Sequence, residues 1–342
     1  MLLSRKASGS HRVTIADIAA ALDLSPSAVS LGLRDSSKIS PEMIEKIKAT
    51  ARSMGYVYNR HAANLRQGRQ SLLGVCINDF KNPVFIQFVQ EIEENLKSTP
   101  YRLTLWNTSE SVELQSDFLR SSLEYGVAGV LLCPAVETTR ADLTNGIPED
   151  FPIVCYSRTI DDPAVTSIAS DDFDGSRQAV RHLFELGHRH IAWLGGGQST
   201  STATSRLAGF HAAAAELGMQ VTSVEHCPTS REAGYRHVHN VLSTSTKPTG
   251  IVSFSDLVAL GAVAACEAAG ISVGRDVSII GHDDIDECRF SLPPLTSVHV
   301  DKAQIAALAV KQLLMRLENP HQVPERVRVK PTLVVRQSTG RI

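Results

Sequence analysis

The sequence predicts an α/β protein in which a short all-α segment precedes two lobes, each built on a doubly wound parallel sheet. Two observations predict it. After residue 71, short apolar runs alternate with stretches of helical period, and the alternation passes through two successive rounds. Before residue 56, every periodic stretch is helical and carries its own start signal.

The composition indicates a large intracellular globular protein. With 342 residues, 43% of them hydrophobic and 20% charged, the chain exceeds one typical domain. No apolar stretch approaches the roughly 20 residues of a membrane span, and the N-terminus lacks the apolar run of a signal peptide, so we expect a cytoplasmic protein with no membrane partner. The 6 cysteines show no C-x-x-C spacing, and we expect reduced core thiols, no metal and no cofactor.

Charge is unevenly distributed along the chain. Of the 34 Lys and Arg and 36 Asp and Glu, residues 1–69 hold 11 and 5, which leaves 23 and 31 for residues 70–342. The net charge is therefore +6 for the first segment and −8 for the rest. This asymmetry indicates a small basic module joined to an acidic body, as in chains that contact phosphate with one end.

Three short helices are predicted within the basic module, over residues 12–58. A capping box at Thr14 begins a helix of about two turns, and Ser25 followed by proline begins a second one after a tight turn. A third helix runs from Ser40 to Gly55. With the positive charge, this pattern is typical of a helix-turn-helix domain whose second helix enters the major groove. A three-helix bundle without that role is the alternative.

The runs VTIADIAAALDLSPSAVSLGLRD and GYVYNRHAANLRQG resemble the N-terminal segment of the LacI/GalR family of bacterial transcription regulators, and the match continues over nearly the whole chain. The resemblance implies that the second helix reads base edges with Pro26, Ser27, Ala28 and Leu31. It also implies phosphate contacts from Thr14, Ser25, Ser30, Tyr56 and Asn59.

The chain departs from the family pattern in its second helix. Leu31 stands where the family commonly has Arg, and Gly32 costs a helix interior about 1 kcal/mol relative to Ala. Neither Pro26 nor Leu31 can form a bidentate hydrogen bond to a purine. We therefore expect few direct contacts to base edges. They are hydrogen bonds of the Ser27 hydroxyl and apolar contacts of Ala28 and Leu31 with thymine methyl groups.

Residues 59–70 are predicted as a hinge. By composition alone, these residues are predicted to form a basic linker without an amphipathic face. The resemblance implies a helix that forms when two copies meet in the minor groove, where Leu65 wedges into a base step beside Arg60 and Arg66. A linker leucine of no consequence is the alternative. Paired hinges imply a homodimer on a palindromic operator.

The body is predicted as a first lobe of residues 71–161 with 298–320 and a second lobe of 162–297 with 321–337. Such a body has the architecture of periplasmic binding proteins. Ligands of doubly wound sheets bind beyond the carboxyl ends of the strands, so the polar residues that follow predicted strands are candidate effector contacts. They are Asn78, Ser157, Arg158 and Ser255.

Three further effector residues come from the resemblance. The segment TSRLAGF implies a clamping Arg206, GHDD implies an accepting Asp283, and Phe85 stands at an apolar pocket wall, although core packing explains it equally well. A guanidinium fork facing a carboxylate suits the vicinal hydroxyls of a sugar or related polyol. Asp256 is predicted to cap the helix that follows it, rather than to contact a ligand.

These features predict a sequence-specific DNA-binding transcription regulator, a repressor controlled by a small metabolite, and not an enzyme. The chief alternative is a two-lobed solute-binding protein without a DNA role, which would have no use for residues 12–69. A nucleotide site is disfavoured because GGGQSTSTATSR lacks G-K-[ST]. A metal site is disfavoured because His188 and His190 lack partners at ligand spacing, and we expect solvated or capping histidines. No G-x-S-x-G motif supports hydrolysis.

Overall fold

The computed structural model describes residues 13–56, 70–197 and 199–342. The chain divides into two compact units between Gln70 and Ser71. Except for Gln70, the predicted hinge, with Asn59 and Leu65, lies outside the described residues.

The first unit holds three helices, α1 (Ile15–Leu22), α2 (Pro26–Gly32) and α3 (Pro41–Ser53). Each starts where its sequence signal predicts, because Thr14, Ser25 and Ser40 accept hydrogen bonds from backbone N–H groups of the first turn. Their apolar faces meet in one small core, formed by Ile18, Ala19, Val29, Ile47 and Ala51.

The packing of α2 against α3 explains why a glycine stands at position 32. It is buried at the end of α2, and a Cβ there would overlap with the side chain of Ile47 in α3. The glycine lets the two helices approach closely, so its low helix propensity is offset by tertiary contact.

None of the described helices is, by itself, long and apolar enough to cross a membrane. The pair α1 and α2 meets the length and composition criteria together, but the two helices are bent by 101°. That angle lies in the range of helix-turn-helix pairs.

The second unit contains two six-stranded sheets. Its strands are β1 (Leu72–Ile77), β2 (Arg102–Asn107), β3 (Gly129–Leu132), β4 (Ile153–Tyr156), β5 (Ser167–Ser170), β6 (His190–Leu194), β7 (Gln220–Glu225), β8 (Gly250–Ser253), β9 (Ser278–Asp283), β10 (Thr296–His299), β11 (Arg326–Val329) and β12 (Thr332–Val334). Its helices are α4 (Pro83–Leu96), α5 (Val112–Glu124), α6 (Arg140–Thr144), α7 (Asp172–Glu185), α8 (Ser201–Glu216), α9 (Arg231–Leu242), α10 (Asp256–Ala268), α11 (Glu287–Phe290) and α12 (Lys302–Glu318).

The first sheet has the order β11-β5-β4-β3-β1-β2 and is parallel throughout. The second has the order β12-β10-β9-β8-β6-β7, and its edge strand β12 pairs antiparallel with β10. The doubly wound fold class is thus confirmed, with one antiparallel edge that the parallel prediction missed. Helix α12 packs on the first sheet, as predicted.

The predicted lobe boundaries were wrong at the crossovers. Strands β5 and β11 were assigned to the second lobe, but both lie in the first sheet, and β10 lies in the second. The chain therefore crosses after Ser170, after His299 and after Val329, rather than near residues 162, 297 and 320. The reason is that a short buried strand has no outward-facing pattern that distinguishes one sheet from another.

Candidate functional site

A cleft of about 570 Å³ lies between the two lobes, a volume typical of small-molecule sites. Its walls are mostly loops at the carboxyl ends of strands from both sheets. The predicted effector residues all line it: Asn78, Phe85, Ser157, Arg158, Arg206, Ser255 and Asp283. Topology alone brings these separated positions together.

Arg206 lies buried in the wall of the cleft and is only 6% exposed. Its Nε donates to Asp172 Oδ1 at 2.9 Å, Nη1 to the carbonyl of Phe254 at 2.7 Å, and Nη2 to Asp283 Oδ1 at 3.0 Å. Burial alone lowers the pKa of this guanidinium, but the two carboxylates outweigh burial and raise it. Arg206 is therefore a fixed, charged fork in the wall of the cleft.

Asp172 is a cleft residue that the sequence analysis missed. Burial alone raises the pKa of its carboxyl, but Arg206 and His282 outweigh burial and hold that pKa below its usual range. His282 Nε2 lies 3.3 Å from Asp172 Oδ1, and burial lowers the pKa of the imidazole. The signal was present, since Asp172 follows the strand VTSIAS, but that strand was assigned to the other lobe.

Arg158 occupies the first-lobe wall. Its two terminal nitrogens donate to Glu110 at 2.7 and 2.8 Å, and Nη1 also donates to the carbonyl of Pro134 at 3.0 Å. Glu110, another missed residue, has φ +65°, and its neighbour Ser109 has φ +50°. No sequence motif marks this turn. Such backbone strain persists where the surroundings enforce it, commonly at binding sites.

Asn78 braces the cleft rather than presenting an open group. Its Nδ2 donates to the carbonyl of Pro134 at 3.0 Å, and its Oδ1 accepts from Thr108 Oγ1 at 2.7 Å. The side chain is fully buried. Asn78 therefore fixes the loops after β1 and β3 against each other.

The prediction that Asp256 caps a helix was wrong by one residue. Ser255 is the N-cap of α10, and its Oγ accepts from the Val258 N–H. The Asp256 carboxylate points inward instead, where it accepts from the Ile285 N–H at 2.9 Å and from Ser297 Oγ at 2.5 Å. Burial, and then repulsion from Asp283, raises the pKa of Asp256 to about 7.

Aromatic and unsatisfied polar groups complete the lining. Phe85 is 5% exposed, so it serves both predicted roles, core packing and pocket wall. Phe254 lies beneath Arg206, with the guanidinium carbon 5.1 Å from the ring centroid. Asn107 Oδ1 and Ser170 Oγ are buried and lack a hydrogen-bond partner among the described residues. A bound polar molecule can satisfy both.

His188 is neither solvated nor capping, contrary to prediction. It is fully buried, with Nδ1 2.9 Å from Thr249 Oγ1 and Nε2 3.1 Å from the carbonyl of Gly340. It ties the last residues of the chain to the second lobe. Within the described parts of the chain, no group of three His, Cys, Asp or Glu side chains is arranged to hold a metal ion.

In the helical unit, the predicted DNA contacts lie at or near α2. Ser25, Pro26 and Ser27 are exposed at its start. Ala28, Ser30 and Leu31 are partly exposed along it, Thr14 is exposed at the start of α1, and Tyr56 packs partly buried against the core. The second helix therefore presents a small, weakly polar first turn.

Known proteins resemble this chain in sequence and in fold. Residues 180–339 match a family model described as a periplasmic binding protein-like domain. The chain is 28% identical over 332 residues to the HTH-type transcriptional repressor PurR of Photobacterium profundum, covering 95% of this chain and 98% of that protein. It is 27% identical over 327 residues to the ribose operon repressor of Haemophilus influenzae, with the same coverage of 95% and 98%.

Among solved structures, a lac repressor dimer bound to operator and the anti-inducer ONPF matches with a TM-score of 0.85 and 27% identity, over 96% of this chain and 99% of that chain. The similarity thus includes the helical unit as well as both lobes. The relatives are transcription repressors, not enzymes. This chain belongs to the LacI/GalR family of transcription regulators, DNA-binding repressors that carry an effector-binding domain.

Proposed function

We propose that a homodimer of this chain binds a palindromic operator through α2, and that a sugar or related polyol in the cleft changes its operator affinity. The proposed base contacts are Pro26, Ser27, Ala28 and Leu31, with Thr14, Ser25, Ser30, Tyr56 and Asn59 at phosphates and Leu65 in the minor groove. Such a repressor acts in the cytoplasm, where the operator is.

The pairing of Arg206 with Asp283 carries the proposal for the effector. Three of the five guanidinium N–H groups are used inside the protein, which leaves two as donors. Asp283 Oδ1 is bonded to Arg206, and among the described residues Oδ2 has no donor. A vicinal diol fits this pair, because one hydroxyl donates to the carboxylate while its neighbour accepts from the guanidinium.

The relatives carry names of two kinds, PurR and ribose operon repressor, so their names do not identify the class of effector that this chain binds. A flat heterocycle is the competing class, since aromatic walls stack on any planar ring. The near balance of charge favours a neutral ligand: Arg158 and Arg206 face Glu110, Asp172 and Asp283. Polyols meet that requirement.

Coupling requires that the effector bind one arrangement of the lobes better than another, because a ligand shifts an equilibrium only by its differential affinity. Both walls of the cleft contribute charged groups, Arg158 from the first lobe and Arg206 from the second. The affinity of a ligand that contacts both walls therefore depends on the distance between them.

The experiment has two steps. Genomic fragments retained by the full chain define an operator, and gel retardation of that operator is repeated with D-ribose, D-glucose, cellobiose, hypoxanthine and guanine. We expect at least one of the sugars to change retention. A response to the purines alone contradicts the proposed effector class, and failure to retain any fragment contradicts the proposed DNA role.

A further inference from the structure

A strained pair of residues lies at the second-lobe wall of the cleft. Asp283 has φ +110° and Asp284 has φ +50°, although neither is glycine. Conformations of this kind persist only where several contacts enforce them. The contacts that hold these two residues therefore decide where the Asp283 carboxylate points.

Most of those contacts come from the second lobe itself. Arg206 holds the Asp283 carboxylate, Ser297 Oγ accepts from the Asp284 N–H at 3.2 Å, and the Asp284 carboxylate pairs with His299 at 3.0 Å and with Arg336 at 2.7 Å. These groups move with the second lobe. Their contacts with Asp283 and Asp284 therefore do not depend on the position of the first lobe.

Lys302 is the exception. It is the first residue of α12, the helix that packs on the first sheet, and it follows directly on the crossover after β10. Its Nζ donates to the carbonyl of Asp283 at 2.6 Å and lies 3.4 Å from that of Asp284. Among the described residues, it is the first-lobe side chain that hydrogen-bonds to this pair.

Burial of the Lys302 ammonium costs free energy. The side chain is only 9% exposed, and within the described parts of the chain its ammonium forms no ion pair. A buried ammonium satisfied by carbonyl oxygens alone loses much of its hydration without a compensating carboxylate. Lys302 is not among the residues that line the cleft, so direct ligand contact does not explain its burial.

We propose that Lys302 is a positioning residue of the effector site, which fixes the strained Asp283–Asp284 turn from the first lobe and so links lobe arrangement to the direction of the Asp283 carboxylate. The link to effector response rests on the proposed function. Rotation of the lobes moves α12 relative to β9, stretches the contacts from Nζ and releases the turn.

Hydrogen–deuterium exchange of the full chain tests the proposal at two amides. The Asp284 N–H is bonded to Ser297 Oγ and the Ile285 N–H to Asp256 Oδ2. In Lys302→Met, which keeps most of the stem and removes the ammonium, we expect both amides to exchange about tenfold faster or more. Lys302→Arg restores a cationic donor and should return exchange toward the wild-type rate.

Lys311→Met is the matched control, because Lys311 lies exposed on the same helix. It should leave both amides unchanged. Wild-type exchange at Asp284 and Ile285 in a folded Lys302→Met protein overturns the proposal, as does an equal acceleration throughout the second lobe. If Lys302→Met does not fold, Lys302→Gln, which removes the charge and ends one atom short of the ammonium position, decides by the same two readings. The measurement needs neither effector nor operator, so its failure is distinct from failure of the proposed function.

Discussion

Arg206 and Asp283 are 77 residues apart in sequence, yet Nη2 of one lies 3.0 Å from Oδ1 of the other. The bond joins the first half of α8 to the end of β9, and Asp172 at the start of α7 accepts from the same guanidinium. Both contacts are buried, so they hold charge where water does not screen it. Their removal should have separable effects on ligand response and on stability.

Asp283→Asn should abolish the effector response and retain operator binding. The variant keeps the shape of the side chain but loses a charged acceptor, which is worth about 2 to 3 kcal/mol in a closed cleft. Calorimetry with the sugar that alters operator retention measures the loss of affinity. Arg177→Ala, which removes an exposed ion pair with Glu216, is the control and should bind normally. Unchanged affinity in Asp283→Asn places the effector site elsewhere.

The ionisation of Asp256 should make a destabilising contribution between about pH 4 and pH 7. Its folded-state pKa of about 7 lies above the unfolded value of about 3.9, so the folded chain binds more protons in that window. The stabilisation is complete below the unfolded pKa and is lost as pH rises through the folded pKa. The loss is as much as about 4 kcal/mol for a shift of this size.

Asp256→Asn removes this titration. We expect its free energy of unfolding, measured by urea denaturation, to decline less from pH 4 to pH 8 than that of the wild type. Parallel pH profiles for the two proteins mean that Asp256 does not titrate in this range. Asp256 does not line the cleft, so the comparison concerns the fold and needs no ligand.

Much of this fold and site follows from local signals in the sequence. Caps at Thr14, Ser25 and Ser40 determined the helix starts, and the rule for parallel sheets identified Arg158 and Ser255. The family resemblance added Arg206 and Asp283. Glu110 escaped notice because only its left-handed backbone turns it toward Arg158. Asp172 escaped because its strand was placed in the wrong sheet. The departures concern long-range pairing, which local periodicity does not encode.

Phe290→Asp combined with Leu292→Asp should weaken the homodimer. These side chains are 85% and 86% exposed, at the last residue of α11 and two residues beyond it. Exposed apolar side chains of this kind are often buried by a subunit contact. We expect sedimentation to show a shift toward monomer. Val323→Asp, at a side chain 79% exposed elsewhere, is the control. A dimer of unchanged stability in the double variant assigns the contact to another surface.

A chain of residues 71–342 should fold, keep effector binding and lose operator affinity. The division between Gln70 and Ser71 leaves both six-stranded sheets and the cleft in one unit. Thermal unfolding with the responding sugar tests the body, and gel retardation tests the loss. Retardation of operator by this fragment contradicts the assignment of DNA binding to the basic module.

Leu65→Ala distinguishes a hinge that takes part in recognition from a passive linker. If the basic module alone decides affinity, the substitution should be nearly silent, because it removes no charge and no phosphate contact. If Leu65 is the minor-groove wedge, it removes the apolar insertion that offsets a few kcal/mol of unstacking, so operator affinity and DNA bending should both fall. Non-specific affinity should change little, since its electrostatic source is untouched.

We expect the second result. The measurement compares operator and random duplex at one salt concentration, and follows bending by circular-permutation mobility. Leu24→Ala, at a leucine packed against the helical core, is a useful contrast, because it perturbs the head without touching the hinge. If Leu65→Ala and the wild type share the same operator affinity and the same bend, the hinge has no part in recognition, and α2 with its phosphate contacts must account for the whole of it.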